Sequence, residues 1–316
     1  MNRYHTAINI LLSSWLCCSC IAADYPEVER ARLSGAQGRV TLRITDSAAV
    51  PVEDAITSVA FWASDSLPDV IIRDGTTDTN GYYVATGITM DRMGYLIEKD
   101  GYYSTHGELS FYRPGEDCVD NGRWQPWNQT NTIVLKKRRN PVSMIASSFD
   151  IPFPIRDKAV GLDLEVGDWV KPYGEGSISD IMFSYSSHLS DDILVFSNRL
   201  GISFQGQGNG YIRKAKDSWS EYVFAYDAPL MGYIQEMVLS VDRTRFKILK
   251  RNLFGPEEYL IFRIRSVLDE KGEIVSARYG IIDGPIKYGD DEQGGGVVQF
   301  RYWLNPASVG RNLEHY

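Results

Sequence analysis

Along most of this chain apolar and polar residues alternate one for one. That is the period of a strand with one buried face, not the 3.6-residue stripe of an amphipathic helix. Val40, Leu42 and Ile44 alternate with Arg39, Thr41 and Arg43. Pro51–Ala55 then turns the chain into a second strand from Ser58 to Trp62. In Thr77–Val84 the pair Asn80-Gly81 tolerates the positive φ angles of a tight hairpin. Gly94–Lys99 and Thr132–Leu135 are further strands, the first running into Asp100-Gly101-Tyr102-Tyr103. Beyond residue 140 the same alternation marks Gly161–Glu165, Asp180–Tyr185 and Leu260–Arg265. Asp269-Glu270-Lys271-Gly272 predicts a hairpin turn into Ile274–Ile282, and Val297–Leu304 is a last strand stopped by Asn305-Pro306. About eight strands and no long helix are expected in this second half. The glycine runs Gly206–Gly210 and Gly294–Gly296 read as hairpin turns, because no helix follows to make a phosphate site of either.

Several of these residues form a larger pattern: Gly38-Arg39-Val40, Val52-Glu53-Asp54-Ala55, Thr77-Asp78-Thr79-Asn80-Gly81-Tyr82-Tyr83, and a strand ending in Gly101-Tyr102. In these motifs residues 36–137 resemble the carboxypeptidase regulatory-like, or transthyretin-like, domain. The resemblance implies a seven-stranded sandwich that acts as a spacer, stabiliser or adhesion module and carries no catalytic residues. A long Ser64–Asp74 connection and an insertion from Pro114 to Thr130 depart from it. Some related surface domains carry a Lys–Asn crosslink, but the first strand offers Arg39 and Arg43 and no Lys. Lys136-Lys137-Arg138-Arg139, closed by Asn140-Pro141, reads as a solvated break. The expected fold is therefore all-β: the sandwich at 36–137, a linker at 138–158, and a second antiparallel β-sandwich or open barrel at 159–316. This second part resembles no characterised family, only uncharacterised exported bacterial proteins.

The two ends and the charge set the expected compartment. Arg3, an apolar run from Ala7 to Leu16, and small residues up to Ala23 have the parts of a secretory signal peptide at 1–23, followed by a lead-in at 24–35. The run is too short and too polar, with Asn9, Ser13 and Ser14, to serve as a spanning helix. Ser19-Cys20 offers a lipid-anchor position, against which Cys17 stands where Leu is usual. Three of the four cysteines lie in this leader, so Cys118 alone remains and no disulfide framework is expected. A net charge of −8 disfavours nucleic acid and anionic membrane surfaces as partners. An exported protein of the periplasm, the cell surface or the medium is the expectation, with no transmembrane segment in the mature chain.

Candidate chemistry is sparse. Zinc hydrolysis needs three ligands around the metal, and His106, His188 and His315 do not have the spacing for it. Cys118 sits among acids, which raise a thiol pKa, and a serine nucleophile would have only His188 as its base. Asp191-Asp192 and Asp290-Asp291-Glu292 lack the spacing of a calcium loop and read as loop tips. No cofactor or metal is expected. The leading expectation is a non-enzymatic envelope protein for adhesion, scaffolding or ligand binding, with a polysaccharide or a surface protein as partner. One alternative is a polysaccharide-handling enzyme built on acids such as Asp168, Asp180 or Asp191. Another is a carbohydrate-binding module in which Trp124, Trp127, Asn128 and Gln129 present flat aromatic faces beside amides.

Overall fold

A computed structural model describes residues 25–63, 70–190, 195–217, 219–290 and 295–316. The expected signal peptide, Cys20, Asp191, Asp192, Asp291, Glu292 and Gly294 lie outside the described residues. The described residues are 56% strand and 3% helix, so this is an all-β protein of several antiparallel sheets. No described helix is long and apolar enough to cross a membrane.

The described chain divides into two compact units, the first built from 25–44, 51–96 and 107–133, the second from 45–50, 97–106 and 134–316. The lead-in holds a helix, α1 (Pro26–Ser34), that begins with Pro and two first-turn acids and stops at Gly35, whose φ is 80°. Nine strands follow: β1 (Ala36–Asp46), β2 (Ile56–Trp62), β3 (Val70–Thr76), β4 (Tyr82–Thr89), β5 (Arg92–Glu98), β6 (Thr105–Ser110), β7 (Val119–Asp120), β8 (Arg123–Trp124) and β9 (Gln129–Leu135). One sheet has the order β4-β1-β8-β7 with β9 also on β1, and the other has the order β3-β2-β5-β6. With the two-residue strands β7 and β8 set aside, seven longer strands remain. The alternation in β1 is a buried stripe, since Val40, Leu42 and Ile44 are each at most 2% exposed. At Gly81 φ is 75° and an added Cβ would lie 2.3 Å from the Ile44 carbonyl, so the Asn-Gly turn tolerates only glycine.

Among the described residues of the second unit eleven strands follow, against about eight expected. They are β10 (Ile145–Pro152), β11 (Ala159–Asp163), β12 (Asp168–Trp169), β13 (Ile181–Leu189), β14 (Phe196–Phe204), β15 (Gly210–Ala215), β16 (Glu236–Arg243), β17 (Ile248–Arg251), β18 (Glu258–Leu268), β19 (Ile274–Asp290) and β20 (Gly296–Leu304). They form a five-stranded sheet, β10-β20-β19-β18-β15, and a six-stranded sheet, β12-β11-β13-β14-β16-β17. β10 falls within the stretch expected as a linker, paired with β20 from Ile145↔Leu304 to Pro152↔Val297. Its Phe149 reaches the core and explains why the segment is held as a strand. Gly206–Gly210 is not a hairpin, because β14 and β15 belong to different sheets. By contrast Asp269–Gly272 does close the β18–β19 hairpin, with the Gly272 amide donating to the Asp269 carbonyl at 3.0 Å.

Two apolar layers flank the five-stranded sheet. Leu260, Phe262, Ile264, Ile282, Phe300 and Tyr302 meet Phe183, Tyr185, Leu200, Ile202 and Leu239 of the six-stranded sheet. On the opposite face Tyr259, Ile261, Ala277, Tyr279 and Ile281 are covered by Tyr103, Tyr222, Phe224, Ala228 and Leu313. Successive residues of β18 thus point into different cores, so this strand is buried on both faces.

Candidate ligand-binding groove

Where the outer layer ends, four loops leave a groove of about 1030 Å³ in the second unit. Its walls are the Gly208 turn, the Leu230–Tyr233 loop, the tip of the β18–β19 hairpin and the Ser308–Arg311 loop. Gly208, Gly232, Gly272 and Gly310 have φ of 80°, 95°, 80° and 99°, which lets each loop turn back at the rim. Alternation along β18 and β19 puts Arg263 and Tyr279 on this outer face, opposite Phe262 and Gly280.

Arg263 is only 7% exposed and is fixed by three contacts. Its Nε donates to the Gly208 carbonyl, its Nη1 donates to the Leu230 carbonyl at 3.0 Å, and its guanidinium lies 4.0 Å above the Tyr233 ring. Arg311 donates from Nη1 to the Ala228 carbonyl. Both guanidiniums therefore bond to neutral carbonyls rather than to carboxylates, and their Nη2 groups have no partner among the described residues. Burial pushes the Tyr233 hydroxyl up, against the pull of Arg263 and Arg311, and it donates to the Pro229 carbonyl at 3.0 Å. At the rim Leu230, Met231, Val275 and Val309 are 68%, 80%, 62% and 77% exposed. Two held cations below and four bare aliphatic side chains above can grip a ligand with an anionic group and an apolar body.

The site residues singled out from the sequence do not line this groove. Trp124 is completely buried, stacked 6.4 Å from Phe111, and its Nε1 donates to the Thr89 carbonyl at 2.8 Å. It therefore presents no face to solvent. A large ring with one N–H is better satisfied inside a core that offers a carbonyl. Trp127 is half-buried, with the Arg123 guanidinium 5.1 Å from its ring. Asn128 has φ 62° and accepts from the Thr41 hydroxyl at 2.9 Å, while Gln129 is exposed at the start of β9. The four residues do not form one aromatic platform.

Of the acids of the enzyme alternative, Asp191 lies outside the described residues, Asp168 bonds to backbone amides, and Asp180 is built into a salt-bridge cluster. Arg265 donates from Nε and Nη2 to Asp180 at 2.8 and 2.9 Å, from Nη2 to Asp163 at 2.7 Å, and from Nη1 to Glu165. Asp163 and Asp180 are each 2% exposed. Burial alone would raise Asp163, but the amides of Ser177, Ile178, Val166 and Glu165 hold it below the usual carboxylate range. Asp180 is raised by burial against the pull of Arg265. Asp168 accepts from the Trp169 and Glu175 amides at 2.7 and 2.9 Å and so ties its own loop. Strand parity would place Arg265 on the outer face with Arg263. A register shift between Ile264 and Val267, and a φ of 51° at Arg265, re-aim it toward these acids.

Of the basic run only Lys136 is docked: its side chain is 13% exposed and pairs with Asp217 at 2.5 Å, while Lys137, Arg138 and Arg139 are exposed, the two arginines lying 5.1 and 4.1 Å from the rings of Tyr103 and Tyr226. Glu314, 1% exposed, accepts from the Arg139 and Asn140 amides at 2.9 and 2.6 Å. Cys118 is buried. His315 is buried against Trp303, ring to ring at 4.8 Å.

No protein-family model matches this sequence, and no curated protein matches it either. Among solved structures it is similar to 3-chlorocatechol 1,2-dioxygenase from Rhodococcus opacus, at 15% identity and TM-score 0.27, over 33% of this chain and 61% of that one. It is similar also to the shaft pilin SpaA from Lactobacillus rhamnosus GG, at 12% identity and TM-score 0.23, over 80% of this chain and 90% of that one. A streptococcal ancillary pilin gives 12% identity and TM-score 0.21, over 89% of this chain and 63% of that one. The chain thus spans about three fifths of the length of the dioxygenase. TM-scores this low establish no common fold, and no property of these proteins is carried over to this one.

Proposed function

We propose that this chain is a non-enzymatic, exported protein of the cell envelope that holds a ligand in the groove of its second unit. The first unit, in this reading, is a carboxypeptidase regulatory-like sandwich that acts as a spacer. The leader pattern at 1–23 supports export, and the seven longer strands with their Gly81 turn support the sandwich. The observation that carries the binding role is the groove itself. Arg263 in its floor and Arg311 in its wall are anchored on neutral carbonyls, and Leu230, Met231 and Val309 stand bare around it. Exposed aliphatic side chains clustered beside held cations mark a recognition surface. Against the polysaccharide-handling alternative, Asp180 has its oxygens committed to Arg265 and the Leu164 amide, and Asp168 accepts from the Trp169 and Glu175 amides. Carboxylates tied up in this way are poorly placed for the acid–base pair that glycoside hydrolysis uses.

The test is binding of the purified protein to a panel of polysaccharides and envelope surface proteins, with a Leu230→Asp/Val309→Asp variant beside it. Both positions are solvent-exposed, so the fold should tolerate the change. Binding that weakens at least tenfold in this variant fits the proposal. Binding that persists there but disappears in Trp127→Ala contradicts it, as does release of a cleaved sugar.

A further inference from the structure

Resting on the groove as a binding site, we infer that its occupant is an extended peptide segment of a protein partner, laid beside the start of β19 with an acidic side chain over Arg311. Three features of the groove point to this class. The first is an open edge. β19 runs from Ile274, but its pairing with β20 begins only at Gly280↔Leu304. The returning chain takes up part of the gap, through Asn305 N to the Tyr279 carbonyl at 2.9 Å and Ala277 N to the Ser308 carbonyl at 3.0 Å. Past Ala277, toward the hairpin tip, no strand lies on that side of Ile274–Ser276 among the described residues. Val275, in the middle of this stretch, is skipped by the register with β18, where Ser276 pairs with Val267 and Ile274 with Leu268. An open strand edge is the template for strand addition by a peptide.

The second feature is the rim. Leu230, Met231, Val275 and Val309 are aliphatic, whereas sugar rings are met mainly by flat aromatic faces, and of the two lining aromatics Tyr233 is covered by Arg263 and Tyr279 is only 5% exposed. Alternate side chains of an extended peptide, all on one face, would fill the spaces between these residues. The third is charge. The free Nη2 groups of Arg263 and Arg311 offer donors to a carboxylate. Of the acids on the lining, Asp227 is paired with Arg139 at 3.7 Å, and Glu273 stands at the hairpin tip. A peptide with its acid over Arg311 and a neutral or basic residue beside Glu273 would match both charges.

The experiment selects phage-displayed random nonapeptides against the purified protein, then measures the resynthesised winner by calorimetry. The winner is also made with alternate amides N-methylated and with its acid changed to the amide. Oligogalacturonate serves as the anionic sugar probe. Val275→Pro removes one backbone donor at the open edge, Val275→Thr keeps it, and Arg311→Gln removes one cation. The inference predicts an enriched peptide with alternating β-branched residues and one acid. Its binding should be abolished by N-methylation and by Val275→Pro, kept by Val275→Thr, and weakened tenfold or more by Arg311→Gln. Since the methylated peptide is tested on the unaltered protein, a folding defect in Val275→Pro leaves the test intact. No enrichment, or binding indifferent to methylation and to Arg311→Gln, overturns the peptide. If oligogalacturonate binds in its place and Leu230→Asp/Val309→Asp abolishes that binding, the peptide inference fails while the groove stands as a binding site.

Discussion

Arg265 shows how much depends on one side chain placed by one bulge. It neutralises Asp163 and Asp180, both 2% exposed, which without it would be two buried carboxylates side by side. Removing one partner of such a group leaves buried charge uncompensated, at a cost on the order of 3–5 kcal/mol. Urea denaturation of Arg265→Gln should show a loss of that size. A change below about 1 kcal/mol would mean that the cluster is solvated. Trp124 invites a similar test. Its replacement by Ala removes a fully buried ring and should cost about 3–5 kcal/mol. Trp127→Ala, half-buried at the surface, should cost far less. From the sequence Trp124 and Trp127 looked equivalent, two indoles flanking a proline. Burial separates them, and burial depends on Phe111 and Thr89, residues too distant in sequence for local pattern to reveal.

At the scale of elements, the C-terminal segment is a packed component of the second unit and not a tail. Its Leu313 joins the outer layer, Glu314 receives the Arg139 and Asn140 amides, and His315 stacks on Trp303 and Phe224. Burial lowers the His315 imidazole below its ordinary value of 6.5, opposed by its bond to the Leu313 carbonyl. In the folded state it therefore resists protonation, and the unfolded chain binds the proton more readily. The stability it contributes is complete above pH 6.5 and is lost as pH falls from there through the depressed folded value. Thermal melts should show a lower midpoint at pH 5 than at pH 7.5, with much of that difference gone in His315→Phe. An identical slope in the variant would remove His315 from the account. Strands with a clean alternation, such as β1, β13 and β18, were legible from the sequence. β10 was not, because it lies among linker-like polar residues and is held by β20, which is far away in sequence. The outer layer was equally hidden, since Tyr222, Phe224 and Ala228 belong to irregular segments with no period to read.

At the scale of the molecule, each unit is a largely antiparallel β structure with its own core. The second unit departs from a plain sandwich in that its five-stranded sheet carries an apolar layer on both faces. The outer layer is made of loops, and loops leave gaps. The groove is one such gap, floored by strand residues and rimmed by glycine turns. Its sequence trace is slight. Leu230-Met231-Gly232 and Val309-Gly310-Arg311 place apolar residues beside glycine, and sequence alone does not distinguish exposed aliphatics from core ones. The central claim is that this groove is where the protein meets its ligand. Amide hydrogen exchange, run with and without a saturating ligand from the binding panel, tests it most directly. The account predicts new protection confined to the loops around 206–210, 230–234, 268–276 and 305–311. Protection centred instead on the Trp127 loop, or on neither region, would contradict it.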